Sequence, residues 1–428
     1  MELKKLRDRL YSLFSYAAYG FAIFTLGWWL FGYFSGATRP AFYSDSMESM
    51  KKEILKIMPA LDLLYKPDLV YKPSPGHPVV QPPPVAAQSI SAPCQLAPGH
   101  NCQVKVFFAT DRKPSGFPIF TNYFGGERNE ADDPLTFGTV LVSIPAEHRV
   151  GHLEEPLPFF SADPRHDLVV VDLKLSSEAG FISSLSETIG QSRDKEALIF
   201  IHGYHVTFDE AARRTAQLAW DLQFQGVPIL YSWPSRGDIL YTADEASALW
   251  AVPHLESFLR LVAQKSGANT IHVVAHSLGN RALMYALQQL SKDHSSTTKV
   301  KQIVLAAPDI DAGIFRQLAS AFPSTADHVT IYASSHDKAL ALSKFLHQYP
   351  SMGKQPIAPR SLGEVVDLID ASVMSDDLFS FDHSYYAGNV AVLEDMAYVI
   401  RAGLPPSKRL LLDPHPSSGV PVYWTFRP

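Results

Sequence analysis

The chain has only two cysteines in 428 residues, Cys94 and Cys102, close together in a proline-rich stretch. Two cysteines cannot form a disulfide framework, and their spacing fits no zinc site. Outside the cytosol the pair can close one small loop; inside it both stay free thiols. Charge is also scarce, at 19% of residues, and 37 Lys and Arg against 43 Asp and Glu give a net charge of −6. Without a basic footprint, nucleic acid is not an expected partner. No internal repeat is visible, and no motif asks for a cofactor or a metal. What the chain does have is apolar matter, 46% of residues, with 25 Phe and 18 Tyr. That is enough for one large domain with a substantial core plus extras. The aromatic excess fits either a well-filled core or an apolar ligand cleft.

An apolar, charge-free stretch lies at the N-terminus. Lys4, Lys5, Arg7 and Arg9 precede an uncharged run from Leu10 to Thr38, with YSLFSYAAYGFAIFTLGWWLFGYF at its centre. A spanning helix needs about 20 apolar residues, whereas the apolar part of a cleavable signal is usually about 7–15. Residues 1–39 therefore read as an uncleaved signal-anchor, with Ser35 and Ala37 offering the rival reading of a cleavage site. Trp28, Trp29, Tyr33 and Phe34 crowd the far end as an interfacial belt does. Basic residues before the span put the N-terminus in the cytoplasm and the rest in the periplasm or outside. The lipid bilayer is thus an expected partner, in single-pass form at a bacterial inner membrane. Residues 40–102 hold a short amphipathic segment (45–65) and a run from Pro67 to Pro98 too rich in proline to build a core, which reads as a spacer.

From residue 103 the pattern is that of a folded domain, taken to extend to 403, with 404–428 as a tail whose GVPVYWTF is a late edge strand or a cover. VKVFFAT, GTVLVSI and DLVVVDL read as strands. An alternation follows: ALIFIHG strand, 207–224 helix opened by a Thr207–Glu210 capping box, PILYSW strand, ASALWAVPHLESFLRLVAQ mostly helix, TIHVVAH strand, LGNRALMYALQQLSK helix, then QIVLAAP, VTIYASS and VVDLIDAS as strands. Such alternation predicts an α/β fold, a mainly parallel sheet with helices on both faces and ligands beyond the carboxyl ends of the strands.

Ala275-His276-Ser277-Leu278-Gly279 sits where a buried strand turns into a helix. A turn that sharp requires small residues two before and two after its apex, which Ala275 and Gly279 are. It lifts the Ser277 hydroxyl above the sheet and aims the Leu278 N–H and the helix dipole at the same point. Ser277 is the expected nucleophile; its bland reading is a helix N-cap. A second oxyanion donor is expected from His202-Gly203-Tyr204, where Gly203 permits close approach and the Tyr204 N–H donates. The general base is expected C-terminal to the serine. His383 in FDHSYY is preferred to His347, which lies in a helix-like stretch. Asp337, directly after VTIYASSH, is the expected acid, with Asp309 and Asp311 in AAPDIDA as live rivals. His205, Trp233, Arg236 and His276 are candidate pocket residues. For Trp233 and Arg236 the alternative is a rigid turn; for His276, and for His272 on the same strand, it is packing.

These motifs, LIFIHGYHVTFDEAARRTAQLAWDL, LYSWPSRGD, VVAHSLGNRAL, VLAAPDIDA and IYASSHDKAL, with VFFATDRKP and YFGGER before them, resemble a bacterial α/β-hydrolase family of unknown function (DUF900). The resemblance spans roughly residues 103–390. It implies the α/β-hydrolase fold and an esterase- or lipase-like activity without specifying a substrate. Carried over by motif, it matches Ser277 to the elbow serine, Asp337 to the acid and His383 to the base. The family usually has asparagine where His205 stands, which bears on a contact at the mouth rather than on the chemistry. Ala275 replaces the first glycine of the general elbow, which sterics allow.

The expected function is hydrolysis of carboxylic esters, of a small molecule or a lipid, through an acyl-enzyme. Two alternatives remain: thioesterase, peptidase or acyltransferase chemistry on the same triad, or a non-catalytic binding module on a hydrolase frame. Release of free acid from simple esters separates acyl transfer from hydrolysis.

Overall fold

The computed structural model describes residues 94–96, 102–116, 122–156, 161–236, 241–292, 300–334, 365–372, 386–416 and 423–427; of 94–96 and 386–389 only the backbone is described. The expected anchor, the amphipathic segment and both Asp337 and His383 lie outside these residues. The chain divides into Met1–Val85 and Ala86–Pro428, and the fold below belongs to the second part. Among the described residues no helix is long and apolar enough to cross a membrane.

Fourteen strands are described: β1 Cys94–Leu96, β2 Cys102–Thr110, β3 Arg112–Pro114, β4 Phe124–Arg128, β5 Thr136–Ile144, β6 Val169–Ser176, β7 Glu196–Ile201, β8 Val227–Ser232, β9 Thr270–His276, β10 Val300–Ala306, β11 Ala326–Ala333, β12 Val366–Asp370, β13 Leu412–His415 and β14 Tyr423–Phe426. Twelve form one sheet in the order β13-β14-β12-β11-β10-β9-β7-β8-β2-β5-β6, with β1 paired to β2; β3 and β4 form a separate hairpin. The centre from β2 to β14 is parallel throughout, and antiparallel pairs close both flanks.

The reason is in the strand composition. β7, β8, β9 and β10 are near-continuous runs of Ile, Leu, Val and Ala, buried on both faces as only a helix-covered parallel strand requires. Side chains alternate between two cores. Ile199 and Ile201 join one, with the helices Glu178–Gln191, Val252–Lys265 and Gly279–Leu290. Leu198 and Phe200 join the other, with Phe208–Asp221 and Tyr386–Ala402. The capping box is present: Glu210 N donates to Thr207 Oγ1 at 3.3 Å and Thr207 N to the Glu210 carboxylate at 2.7 Å.

Three features extend the sequence reading. A helix, Glu178–Gln191, follows β6 and buries Phe181, Leu185 and Ile189 at a helical spacing that its serines and two glycines dilute. Cys94–Leu96, inside the proline-rich stretch read as a spacer, pairs antiparallel with β2. Cys102 is disulfide-bonded, and the chain's one other cysteine, Cys94, opens that paired strand. The stretch read as a tail supplies β13 and β14, so the sheet continues past β12. A fully buried Arg409 fastens this end, donating to Asp395 at 3.3 Å and to Asp367 at 2.8 Å.

The topology locates the site. From β7 the chain moves outward to β8, then returns to the other side of β7 for β9 and continues to β10. The direction of winding therefore reverses between β7 and β9, the place where open α/β sheets leave a crevice at their carboxyl ends. Register brings the strand ends level: Ile201 pairs with Ala275, and His276 with Ala306. Three loops thus emerge side by side, at 202–206, at 277–279 and at 307–311.

Candidate active site

The loop at 277–279 is the elbow that the sequence predicts. Ser277 has φ +50°, a left-handed conformation that non-glycine residues adopt at a cost of about 1–3 kcal/mol, and it is buried at the top of β9 with the helix Gly279–Leu290 starting two residues later. The N-cap reading fails on this backbone, since Leu278 occupies the cap position and makes no side-chain capping bond. Strain of this kind persists only where the surroundings overdetermine it. Here Ser277 N donates to Ala306 O at 3.0 Å. Ser277 O accepts from Asn280 N at 3.1 Å and from Asp309 N at 3.2 Å. The Asn280 side-chain amide adds bonds to Ser277 O at 2.9 Å and Ala306 O at 3.0 Å.

Close approach explains the small residues. A Cβ on Gly279 would lie 2.3 Å from His202 O, and one on Gly203 would lie 2.8 Å from both Ser277 Cβ and His276 Nδ1. No side chain fits at either position, so the 202–206 loop lies directly against the Ser277 turn.

His205 has φ +58°. Histidine is one of the few non-glycine residues enriched in that left-handed region, so it suits the turn. His205 is exposed, and its N–H donates to Asp244 Oδ2 at 3.1 Å. Tyr204 is half-buried, its ring 5.4 Å from that of Tyr241.

Of the other candidate pocket residues, Trp233 requires a correction. It is wholly buried, stacked on His202 with centroids 4.9 Å apart, and its indole N–H donates to His202 O at 2.8 Å. An indole with its ring and its N–H both satisfied beneath the loop is a floor for that loop, not a wall of a pocket. Arg236 is exposed, and its backbone N–H donates to Asp244 Oδ1 at 2.8 Å. His276 is half-buried with its Nδ1 against Gly203; desolvation first, then the Arg214 charge, pushes its pKa down to about 3, so its ring is neutral. His272 is buried in the strand, with Phe224 edge-on to its ring, as a packing role requires.

The rival acids stand in different surroundings. Asp309 is buried beside the elbow and accepts the Tyr241 hydroxyl at 2.6 Å, with an Arg281 amine 4.0 Å from its other oxygen. Asp311 caps the helix Ala312–Leu318, taking N–H bonds from Gly313 at 2.8 Å and Ile314 at 2.9 Å.

Several residues at the site carry no motif-level signal. Asp244 is fully buried and receives, besides the His205 and Arg236 amides, the Ser235 hydroxyl at 2.5 Å. Arg112, also fully buried, uses its whole guanidinium. Nε donates to Ser232 Oγ at 2.8 Å. Nη1 donates to Ser235 O at 2.7 Å and Gly125 O at 3.1 Å. Nη2 donates to Val206 O at 2.7 Å and faces His202 Nε2 at 3.2 Å. Burial lowers its pKa to about 10 against the field of Asp111 and Asp244, so it stays charged at neutral pH. Arg112 lies in the ATDRKP stretch, whose only sequence signal is the family resemblance. Among the described residues no cluster of His, Cys, Asp and Glu could hold a metal ion.

No curated protein sequence matches the chain at a significant level. Among solved structures, the apo form of esterase 2 of Thermogutta terrifontis is similar, at 15% identity over 49% of this chain and 85% of that one, with a TM-score of 0.29. A family model covers residues 177–402, just over half of the chain and all of the segment from the helix after β6 to the helix before β13. The chain belongs to the α/β hydrolases of unknown function designated DUF900.

Proposed function

We propose that this hydrolase cleaves carboxylic esters of a small molecule or a lipid by a serine mechanism. The observation that carries the reading is Ser277, held at φ +50° between the end of β9 and a helix N-terminus and faced by Gly203. Ser277 Oγ attacks the acyl carbonyl as His383 takes its proton. The Leu278 and Tyr204 N–H groups bind the oxyanion, and Asp337 holds the imidazole tautomer and stabilises the imidazolium. His383 then protonates the leaving alcohol, and water releases the acid from the acyl-enzyme. The commitment of Asp311 to a helix cap supports Asp337 over it as the acid.

The test is turnover of p-nitrophenyl acyl esters, with the corresponding thioester and anilide in parallel. The wild type is expected to release free acid from the ester. Ser277→Ala, His383→Ala and Asp337→Asn are each expected to lose on the order of 10⁴-fold in kcat. Equal turnover by wild type and Ser277→Ala overturns the mechanism. Preference for the thioester or the anilide moves the chain to another acyl chemistry.

We also propose that residues 1–39 anchor the enzyme in the inner membrane with its catalytic part in the periplasm or outside. The basic flank before the apolar run supports this, as does the disulfide at Cys102, a bond of oxidising compartments. A reporter fused after Pro98 is expected to be active only outside the cytoplasm; cytoplasmic activity contradicts the orientation.

A further inference from the structure

We propose that Arg112 and His202 form a positioning pair that fixes the direction of the Tyr204 N–H, and so sets the strength of the oxyanion site; the proposal rests on the hydrolase reading above. His202 sits at the end of β7, fully buried, with every ring contact made by a fixed group. Nδ1 faces Gly203 O at 2.9 Å. Nε2 faces Arg112 Nη2 at 3.2 Å, Ser232 Oγ at 3.2 Å and Trp233 O at 3.1 Å. A guanidinium has only donors, so Nε2 must accept there. The Ser232 hydroxyl, which already accepts from Arg112 Nε, can turn its proton to the same nitrogen. The Trp233 carbonyl alone favours a proton on Nε2, and a permanently charged donor with a hydroxyl outweighs it.

The imidazole proton therefore resides on Nδ1 and is donated to Gly203 O. Burial, then the Arg112 charge, holds the His202 pKa well below its ordinary value, so the ring does not gain a second proton at neutral pH. The consequence is geometric. Gly203 C=O and Tyr204 N–H belong to one peptide unit, and in a trans peptide they point in opposite directions. Pulling the carbonyl toward His202, below the loop, aims the amide proton the other way, and Gly203 lies against Ser277. Arg112 acts at both ends of this segment, setting the His202 tautomer with Nη2 and holding Val206 O with the same nitrogen. Neither side chain touches substrate; both act through the peptide.

The readout must report oxyanion binding and not folding alone. A thiono ester places sulfur, a weak hydrogen-bond acceptor, where the oxyanion forms, so the oxo-to-thiono ratio of kcat/KM measures the donors directly. Asparagine keeps an amide N–H near the position of Nδ1, whereas glutamine places its amide near Nε2. The expected result for His202→Leu is a loss in kcat on the oxo ester of about 100-fold, the scale of one lost oxyanion donor, with KM nearly unchanged and the ratio collapsed. His202→Asn is expected to recover much of the ratio and His202→Gln little. If His202→Leu does not fold, the Asn and Gln pair decides. Arg112→Met is expected to lower the ratio in the same direction. An active wild type whose ratio is unmoved in the His202 variants, or in which Asn and Gln are equivalent, overturns the proposal alone. A wild type inert on both esters overturns the hydrolase reading as well.

Discussion

Of the three non-glycine residues with positive φ at these strand ends, His205, Ser277 and Ala307, the first two belong to loops packed against each other, and these are held by different means. The Ser277 turn, at φ +50°, is fixed by neutral amide groups: Asn280 three residues on, and the Ala306 and Asp309 backbone of the adjacent strand end. The His205 turn, at φ +58°, is fixed by side chains from far along the chain: Asp244 to its N–H, Ser235 to Val206 N at 3.0 Å, and Arg112 to Val206 O. In the proposed mechanism the first turn presents the nucleophile and needs a rigid backbone. The second presents the proposed oxyanion donor, and on the proposal above remote charged groups determine how well it is aimed.

The largest expected break in this pairing comes from Gly203→Ala. The added methyl meets Ser277 Cβ and His276 Nδ1 at 2.8 Å, so the two turns must separate. A loss of about 10²–10³ in kcat is expected in steady-state ester hydrolysis, as for a lost oxyanion donor. A smaller pair of variants distinguishes the two supports. Asn280→Ala removes bonds to two buried carbonyls and should cost about 1–3 kcal/mol in denaturant unfolding. Asp244→Asn keeps the shape but sets an NH₂ against groups that donate to the carboxylate. It should lower kcat about 10-fold, or about 1.4 kcal/mol in the barrier. Should Asn280→Ala leave stability untouched while Asp244→Asn leaves kcat untouched, the distinction between neutral-amide and charged support fails.

The smallest effect on activity is expected at the far end of the helix that the His205 turn leads into. There His148 lies between Asp221, at 2.9 Å, and Glu154, at 2.7 Å. Burial opposes its charge, but the hydrogen bonds and fields of the two carboxylates prevail and raise its pKa from 6.5 to about 9. A raised folded-state pKa contributes stability in full below about 6.5, lost as pH climbs to about 9. Stability should fall by up to about 3 kcal/mol across that window. His148→Gln should flatten the profile in urea unfolding at several pH values, with kcat at pH 7 nearly unchanged. A profile equally steep in the variant removes His148 as its origin.

Distance along the chain explains what the sequence makes legible. The parallel core is readable because β7 to β10 announce themselves as short apolar runs between helical periods. The elbow is readable because its demands, Ala275 and Gly279 around Ser277, fall within five residues. The capping box at Thr207 is local too, and it is where the sequence puts it. Arg112, Asp244 and Asn280 are not readable in this way. A buried arginine serving backbone carbonyls of three distant segments has no period and no spacing, and its role exists only once β2 and β8 are paired. Trp233 misleads for the related reason that an aromatic in a Pro-fixed turn reads equally as pocket wall or as floor, and only stacking on His202 decides. The helix Glu178–Gln191 is hidden by small polar residues, and β13 and β14 by their shortness.

The central claim is that Ser277 is a nucleophile and not a structural serine. Its most direct test is a fluorophosphonate probe on the folded protein, followed by proteolysis and mass mapping of the adduct. The expected result is one covalent phosphonylation, on the peptide containing Ser277, absent in Ser277→Ala and strongly slowed in His383→Ala. No adduct on the folded wild type, or an adduct that persists in Ser277→Ala, contradicts the claim.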